Sequence, residues 1–372
     1  MIINNAKVYR NGHFESASIE FDSHIRSFSP GEGMDACGAY IIPGLIDVHT
    51  HGAMGIDASD CTAEQIHHLA QFYSDNGVTS FCFTTLTVPA DELRSAMKNI
   101  RAYERFGGEA KCTGVHLEGP FVSRGKCGAQ NPDNIRKPDI ALFNELNELS
   151  GGMVRLITVA TEVEGALDFI REASKVCTVS LGHSTADYDQ AMAGFEAGVT
   201  HLFNGMEPFH HRKPGLVGAA LTAGANVELI CDGVHIHPAM ILAVHKMFGD
   251  RLIIVSDSLR CAGLCDGRYN LGGLPMIVRD GRATLLDGTI AGSSSNLLQE
   301  LRNVVSYGVP LEAAVKAMTE TPAKDIGVFD SIGSLETGKC ADFLVLNKDL
   351  KLMATFIDGK LVNGTTDFAS VK

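Results

Sequence analysis

The chain has 372 residues, 45% of them hydrophobic and 20% charged, and a formal net charge of −13. That length admits a large core, up to a (β/α)8 barrel with additions; the negative balance argues against the large basic face that nucleic acid requires, while leaving room for a small anionic substrate held by a local basic cluster, and no uninterrupted apolar run reaches the roughly 18 residues of a membrane span. The opening "MIINNAKVYRNG" lacks a secretory pattern, and ten cysteines without a CxxC pair, some inside apolar runs such as Cys82 and Cys231, read as reduced thiols, so the cytoplasm is the expected compartment.

In chain order, residues 2–28 alternate in short strand-like runs around "RNG", and residues 341–363 do the same around "NKDL" and "DGK". Isolated hairpins are marginal, so the two ends are expected to pair into one small β-sandwich domain, 1–42 with 336–372, in which 43–335 is inserted. Strands near 42–49, 78–84, 112–118, 154–160, 176–182, 199–203, 227–232 and 252–257 alternate with helical patterns such as "TAEQIHHLAQFYSDNG" and "ADELRSAMKNIRAYERF". Strands that are apolar throughout are buried on both faces, and eight strand–helix units predict a parallel sheet closed as a TIM-like (β/α)8 barrel. No GxGxxG or GxxxxGK[ST] turn follows the first strand, which argues against an open doubly wound sheet. After the eighth strand, "YNLGGLPMIVRDGRATLLDGTIAG" predicts a strand-turn-strand excursion before the final helices.

Barrel active sites form where strands end and loops begin. His49 and His51 close "IIPGLIDVHTHG", and residues at i and i+2 of a strand share a face, so the two imidazoles stand side by side. Glu118 ends the third strand in "HLEGP", His183 follows the fifth in "LGHS", His201 lies at the sixth in "THLFN", and Asp257 ends the eighth in "VSDS". One strand-end histidine is as readily a packed core residue; four histidines and two carboxylates on one rim suit a divalent ion such as Zn²⁺, Fe²⁺ or Mn²⁺, or two ions bridged by a carboxylate. Cys127 as a thiol nucleophile has no adjacent His–Asp pair to support it.

"DVHTHG", "HLEGPF", "GHS", "THLFNGM", "DGVHIHP" and the aspartate ending the eighth strand, in that order over nearly the whole chain, resemble the amidohydrolase superfamily and, within it, the N-acetylglucosamine-6-phosphate deacetylase family. Glu118 stands in place of the carboxylated lysine of many superfamily members. The resemblance implies that Glu118, His183 and His201 hold one divalent metal, that His49 and His51, with Glu118 as bridge and Asp257 nearby, allow a second, and that Asp257 is the catalytic carboxylate. It also implies substrate contacts from Ala129, Gln130, Asn204, the Gly205 backbone, Arg212 and His235, with Arg212 reaching the neighbouring site of a homodimer. Arg212, within the cluster "NGMEPFHHRKPG", suits a phosphate because a guanidinium grips it bidentately.

Several positions depart from the pattern or lack a role. Gln130 replaces a histidine of some relatives and can donate a hydrogen bond but not carry a proton. Arg260 follows Asp257 where small residues are usual, and faces either substrate or solvent. His116 shares the face of Glu118 as support or barrel filling, and His237 has no assignment. The implied activity is metal-dependent removal of acetate from N-acetyl-D-glucosamine 6-phosphate. The rivals are the galactose epimer, another amide, or a non-catalytic sugar-phosphate sensor, which would have no use for Asp257 as a proton shuttle.

Overall fold

The computed structural model of the chain describes residues 1–195 and 198–368. Eight parallel strands follow one another in a single hydrogen-bonded path: Leu45–Thr50, Val78–Thr85, Lys111–Glu118, Val154–Val159, Thr178–Leu181, Gly198–Val199, Asn226–Ile230 and Leu252–Val255. The strand expected at 42–49 divides, Tyr40–Pro43 joining the terminal β domain and Leu45–Thr50 the barrel. The break falls at Gly44, where a Cβ would come within 2.0 Å of Thr79 Oγ1, so only glycine lets the chain pass. The sixth strand is shorter than the expected 199–203, because His201 and Phe203 take φ values of 29° and 78° that a ladder does not accommodate.

The path ends at the first and eighth strands, and their junction positions the site. The buried carboxylate of Asp47 accepts hydrogen bonds from Ser256 Oγ at 2.6 Å and from the Ser256 N–H at 3.3 Å. Burial is the main cause of its pKa being raised to about 6. Further along, the Asp257 N–H donates to the His49 carbonyl at 2.9 Å and the His51 N–H to the Ser258 carbonyl at 2.8 Å. Barrel closure thus sets Asp257 beside the paired histidines. Upstream on the strands, Ile46, Val48, Cys82, Ile230, Ile253 and Val255 pack with Ala323, Ile326 and Ile332 into an apolar floor.

Both helical patterns form helices, Ala63–Asp75 and Ala90–Ala102, the second stopping four residues before its pattern does, with Tyr103 extended. Ala63–Asp75 begins at a capping box between Thr62 and Gln65 and is followed by Gly77 in the left-handed region, φ 79°. The excursion after the eighth strand is an antiparallel sheet of Gly267–Leu271, Leu274–Arg279 and Arg282–Leu285. The chain ends pair as expected, strands from residues 2–43 and 343–364 forming one sheet. That sheet curls over its own core: Phe21 and Phe343 lie on strands that a flat sheet would hold about 14 Å apart, yet their ring centroids are 4.9 Å apart. Lys111, at the start of the third barrel strand, reaches Asp342 at 2.7 Å and Asp358 at 2.6 Å, clamping barrel to β domain and filling the cluster of Cys340, Asp342 and Asp358 with its own ammonium. All ten cysteines are unpaired, and among the described residues no helix is long and apolar enough to cross a membrane.

Candidate active site

Glu118 lies at the centre of the rim. Its Oε1 is 3.1 Å from His183 Nε2, 2.8 Å from His201 Nε2 and 3.6 Å from His49 Nε2, while its Oε2 is 3.2 Å from His51 Nε2. Asp257 Oδ1 lies 3.5 Å from His49 Nε2 and 3.2 Å from His51 Nε2. The six side chains expected at the rim are therefore together and buried. His183, His201 and Asp257 reach it with φ values of 47°, 29° and 46°, left-handed conformations that cost non-glycine residues roughly 1–3 kcal/mol each. Such strain persists where the surroundings impose it, and three of the six members of the cluster carry it.

Hydrogen bonding behind the rings decides which nitrogen faces inward. His51 Nδ1–H donates to the Thr84 carbonyl at 3.0 Å and His183 Nδ1–H to the Lys126 carbonyl at 2.9 Å; a carbonyl only accepts, so in a neutral ring Nε2 carries a lone pair. Those lone pairs point at carboxylate oxygens, an arrangement that repels unless a cation lies between. His49 Nε2 is buried with no hydrogen-bond partner, and His183 Nε2 and His201 Nε2 approach to 3.1 Å. The donor set fits a divalent metal. Two groups could each seat an ion, Glu118 with His183 and His201, and His49 with His51 and Asp257; within each, the ligand atoms lie within 4.8 Å of one another.

The electrostatics agree with a cation site. Burial opposes charge on His49 and His51, yet the carboxylates raise His49 to about 9 and push His51 well above its usual range. Burial likewise opposes ionisation of Glu118 and Asp257, and His49 leads the imidazoles that hold both carboxyls below their ordinary values.

A cavity of about 180 Å³ opens on this cluster, lined by Ala129, Gln130, Asn204, Gly205 and His235 as expected, with Leu86, Leu259, Leu271 and Ile290 as apolar wall. A larger groove of about 1040 Å³ between 89–94 and 133–140 is a poorer candidate, its Arg94 being paired with Asp91 and Glu145 at the surface. His235 Nδ1–H donates to Asp232 at 2.8 Å and its Nε2–H to the Ala291 carbonyl at 2.6 Å, so both nitrogens carry hydrogen; burial opposes the imidazolium, and the Asp232 bond and charge outweigh it and raise the pKa. Gln130 is fixed by the Thr87 N–H donating to its Oε1 at 2.7 Å, and its NH₂ donates to Glu118 Oε2.

Other expected positions resolve differently. Arg212 is not in the lining of this cavity but on the exposed 207–214 loop, against His211. Arg260 meets neither substrate cavity nor open solvent: it pairs with Asp60 at 2.6 Å and Asp57 at 3.6 Å in the loop after the first strand. His237 caps the helix Pro238–Phe248 by accepting from the Ala239 N–H. The Cys127 thiol has its pKa raised by burial, opposite to what a nucleophile needs. Glu228, unremarked in the sequence, lies 2.8 Å from His49 Nδ1; its signal was a lone acid inside the apolar strand "NVELI". Gly292 also escaped notice, although a Cβ there would come within 2.6 Å of the Asp257 carbonyl and 2.9 Å of its Oδ1. Gly292→Ala is therefore expected to cut kcat about 10²-fold by displacing that carboxylate and, because the first atom met is backbone, to lower the melting temperature as well; steady-state kinetics and a thermal melt check both.

An eight-stranded parallel barrel that gathers imidazoles and carboxylates at its C-terminal rim, around a small cavity, defines a hydrolase of the metal-centre class. The chain belongs to the Amidohydrolase family, which its residues 40–362 match. It is similar to the N-acetylglucosamine-6-phosphate deacetylase of Vibrio furnissii, 35% identical over 87% of this chain and 82% of that protein, and to the N-acetylgalactosamine-6-phosphate deacetylase of Escherichia coli O157:H7, 36% identical over 87% of this chain and 88% of that one. Its fold matches, with a TM-score of 0.91 and 29% identity over 97% of this chain and 99% of the other, a mutant N-acetyl-D-glucosamine-6-phosphate deacetylase from Mycobacterium smegmatis in complex with N-acetyl-D-glucosamine-6-phosphate.

Proposed function

We propose that the protein hydrolyses N-acetyl-D-glucosamine 6-phosphate to D-glucosamine 6-phosphate and acetate, as a metal-dependent deacetylase of amino sugar catabolism with residues 43–335 as its catalytic barrel. The observation that carries the reading is the meeting of Asp257, Glu118 and the inward-facing imidazoles with Asn204, Gly205 and His235 in one cavity. One or two ions of Zn, Fe or Mn would be held by Glu118, His183 and His201 and by His49, His51 and Asp257. When bound, such an ion acidifies a water and polarises the amide carbonyl.

The chain's residues do the remainder. Asp257, ionised at the start, takes a proton from the attacking water and returns it to the amide nitrogen as the C–N bond breaks, so that the amine departs neutral and acetic acid is formed, whose carboxyl proton then passes to the amine or to solvent to leave acetate. Gln130 steadies the Oε2 of Glu118. The imidazolium of His235 and the amide of Asn204 face the sugar, and the Leu86, Leu259, Leu271 and Ile290 side chains exclude bulk water.

Among the described residues no arginine or lysine lines the cavity, although a sugar phosphate calls for one. Arg212, outside its own cavity, supports a homodimer in which it completes the partner's site. Arg212→Ala is expected to raise KM for the phosphorylated sugar about 10–100-fold, the loss of a charge-assisted pair, and to leave unphosphorylated N-acetylglucosamine unaffected. Mixing this variant with Asp257→Asn below KM should restore activity through heterodimers; no recovery would place Arg212 in its own site or out of the reaction. Unpaired thiols support a cytoplasmic setting.

The test is amine release by metal-reconstituted protein from N-acetylglucosamine 6-phosphate, with the galactose epimer and the unphosphorylated sugar alongside. Turnover of the first alone is the expected result. Preference for the epimer would move the assignment to the activity named for the Escherichia coli relative, and release from none, with metal bound, would overturn it.

A further inference from the structure

Glu228 has no part in that mechanism, yet it is a carboxylate held 3% exposed in the middle of the barrel strand Asn226–Ile230. A buried carboxylate is retained only where partners meet it, because one left without them is costly. Both of its partners belong to the rim cluster. Oε2 accepts from His49 Nδ1–H at 2.8 Å and from the backbone N–H of His201 at 3.3 Å, so one oxygen ties the paired-histidine side of the centre to the other side.

The His49 ring is constrained on its flank as well. His116 packs against it at 4.5 Å and 78°, and is itself anchored through Nε2 to the Thr158 hydroxyl at 2.8 Å, which continues to Thr200 and Ser180. With its Nδ1 occupied and its plane wedged, His49 has a single free atom, Nε2, buried without a hydrogen-bond partner and directed at Glu118 and Asp257. An ion lodged instead among His49, His116 and Glu228 would have to displace the Nδ1 proton that Glu228 receives.

We infer that Glu228 is a positioning residue: by fixing the tautomer and plane of His49 it sets the affinity of the His49–His51 metal position, while it reaches the Glu118–His183–His201 position only through the longer bond from the His201 backbone N–H. This rests on the reading that both positions take metal. Without the carboxylate, His49 is free to carry its proton on Nε2 and donate it to Glu118 or Asp257, and that hydrogen occupies the place of an ion. A carboxylate–histidine–metal arrangement of this kind is worth about 10–100-fold in metal affinity.

The experiment is a metal titration with chelator competition, and metal content after dialysis, on the parent, Glu228→Leu, which keeps the volume but removes the acceptor, His49→Gln and the double variant. Glu228→Leu should weaken one equivalent by about 10–100-fold and the other less. In the His49→Gln background it should add nothing, because the residue acts through that ring. Melting of the metal-free forms verifies that each variant folds. Unchanged affinity, equal weakening of both equivalents, or a further loss on top of His49→Gln would each overturn the inference. A parent that binds one ion, indifferent to His49→Gln, would instead show that the two-metal reading itself is at fault, and the inference would fall with it.

Discussion

Asp257→Asn is expected to lower kcat by about 10³-fold, the usual worth of a positioned acid–base group, with KM and the metal content of the Glu118–His183–His201 position nearly unchanged. The amide is isosteric with the carboxylate, so an oxygen can still stand 3.2 Å from His51 Nε2 and the backbone link from the Asp257 N–H to the His49 carbonyl is untouched. What disappears is the site that accepts a proton from water and delivers it to nitrogen. A second acid does not stand ready: Glu118 is committed to His183, His201, His51 and Gln130. Retention of more than about a tenth of the turnover, outside the range expected for such a group, would reduce Asp257 to a ligand. A parent that binds the sugar phosphate without hydrolysing it would favour the sensor.

The rim was legible because each of its members follows an apolar strand. In a barrel, the end of a strand is a place in space as well as in sequence, so "HLEGP", "LGHS", "THLFN" and "VSDS" could be set around one mouth with no coordinates. What stayed hidden depends on how distant segments meet. The Asp47–Ser256 link across the closing seam joins residues 209 apart, and periodicity carries no trace of it. Glu228 looked like an interruption in a strand, since its meaning comes from His49, 179 residues away. The break at Gly44 was invisible because it is enforced by Thr79 of the next strand. Arg260 and His237 were ambiguous for another reason: loop residues with hydrogen-bonding side chains are equally suited to ligands, salt links and helix caps, and the path of the loop alone decides between them.

Glu118→Gln should remove metal from both positions and reduce turnover by more than about 10³-fold, since the Lewis-acid contribution is worth several kcal/mol. The carboxylate serves two fronts at once, with Oε1 turned to the Nε2 atoms of His183 and His201 and Oε2 to His51 and the NH₂ of Gln130. An amide has one oxygen and one NH₂, so it satisfies one front and fails the other. With its NH₂ toward the imidazoles, it donates to the lone pairs that would bind the ion; with its NH₂ toward Gln130, donor faces donor in a buried place, a mismatch costing about 1–3 kcal/mol. The negative charge between the rings is lost in either pose. Because binding to the folded state alone stabilises it by about 2.7 kcal/mol at a hundredfold excess over Kd, the parent should melt higher with metal than with chelator. The variant should show the same melting temperature in both, and that difference separates a lost metal from a lost fold. Full metal content, or a metal-dependent rise in melting temperature equal to the parent's, would show that the imidazoles and Asp257 hold the ions without Glu118 and that its central position is one of packing.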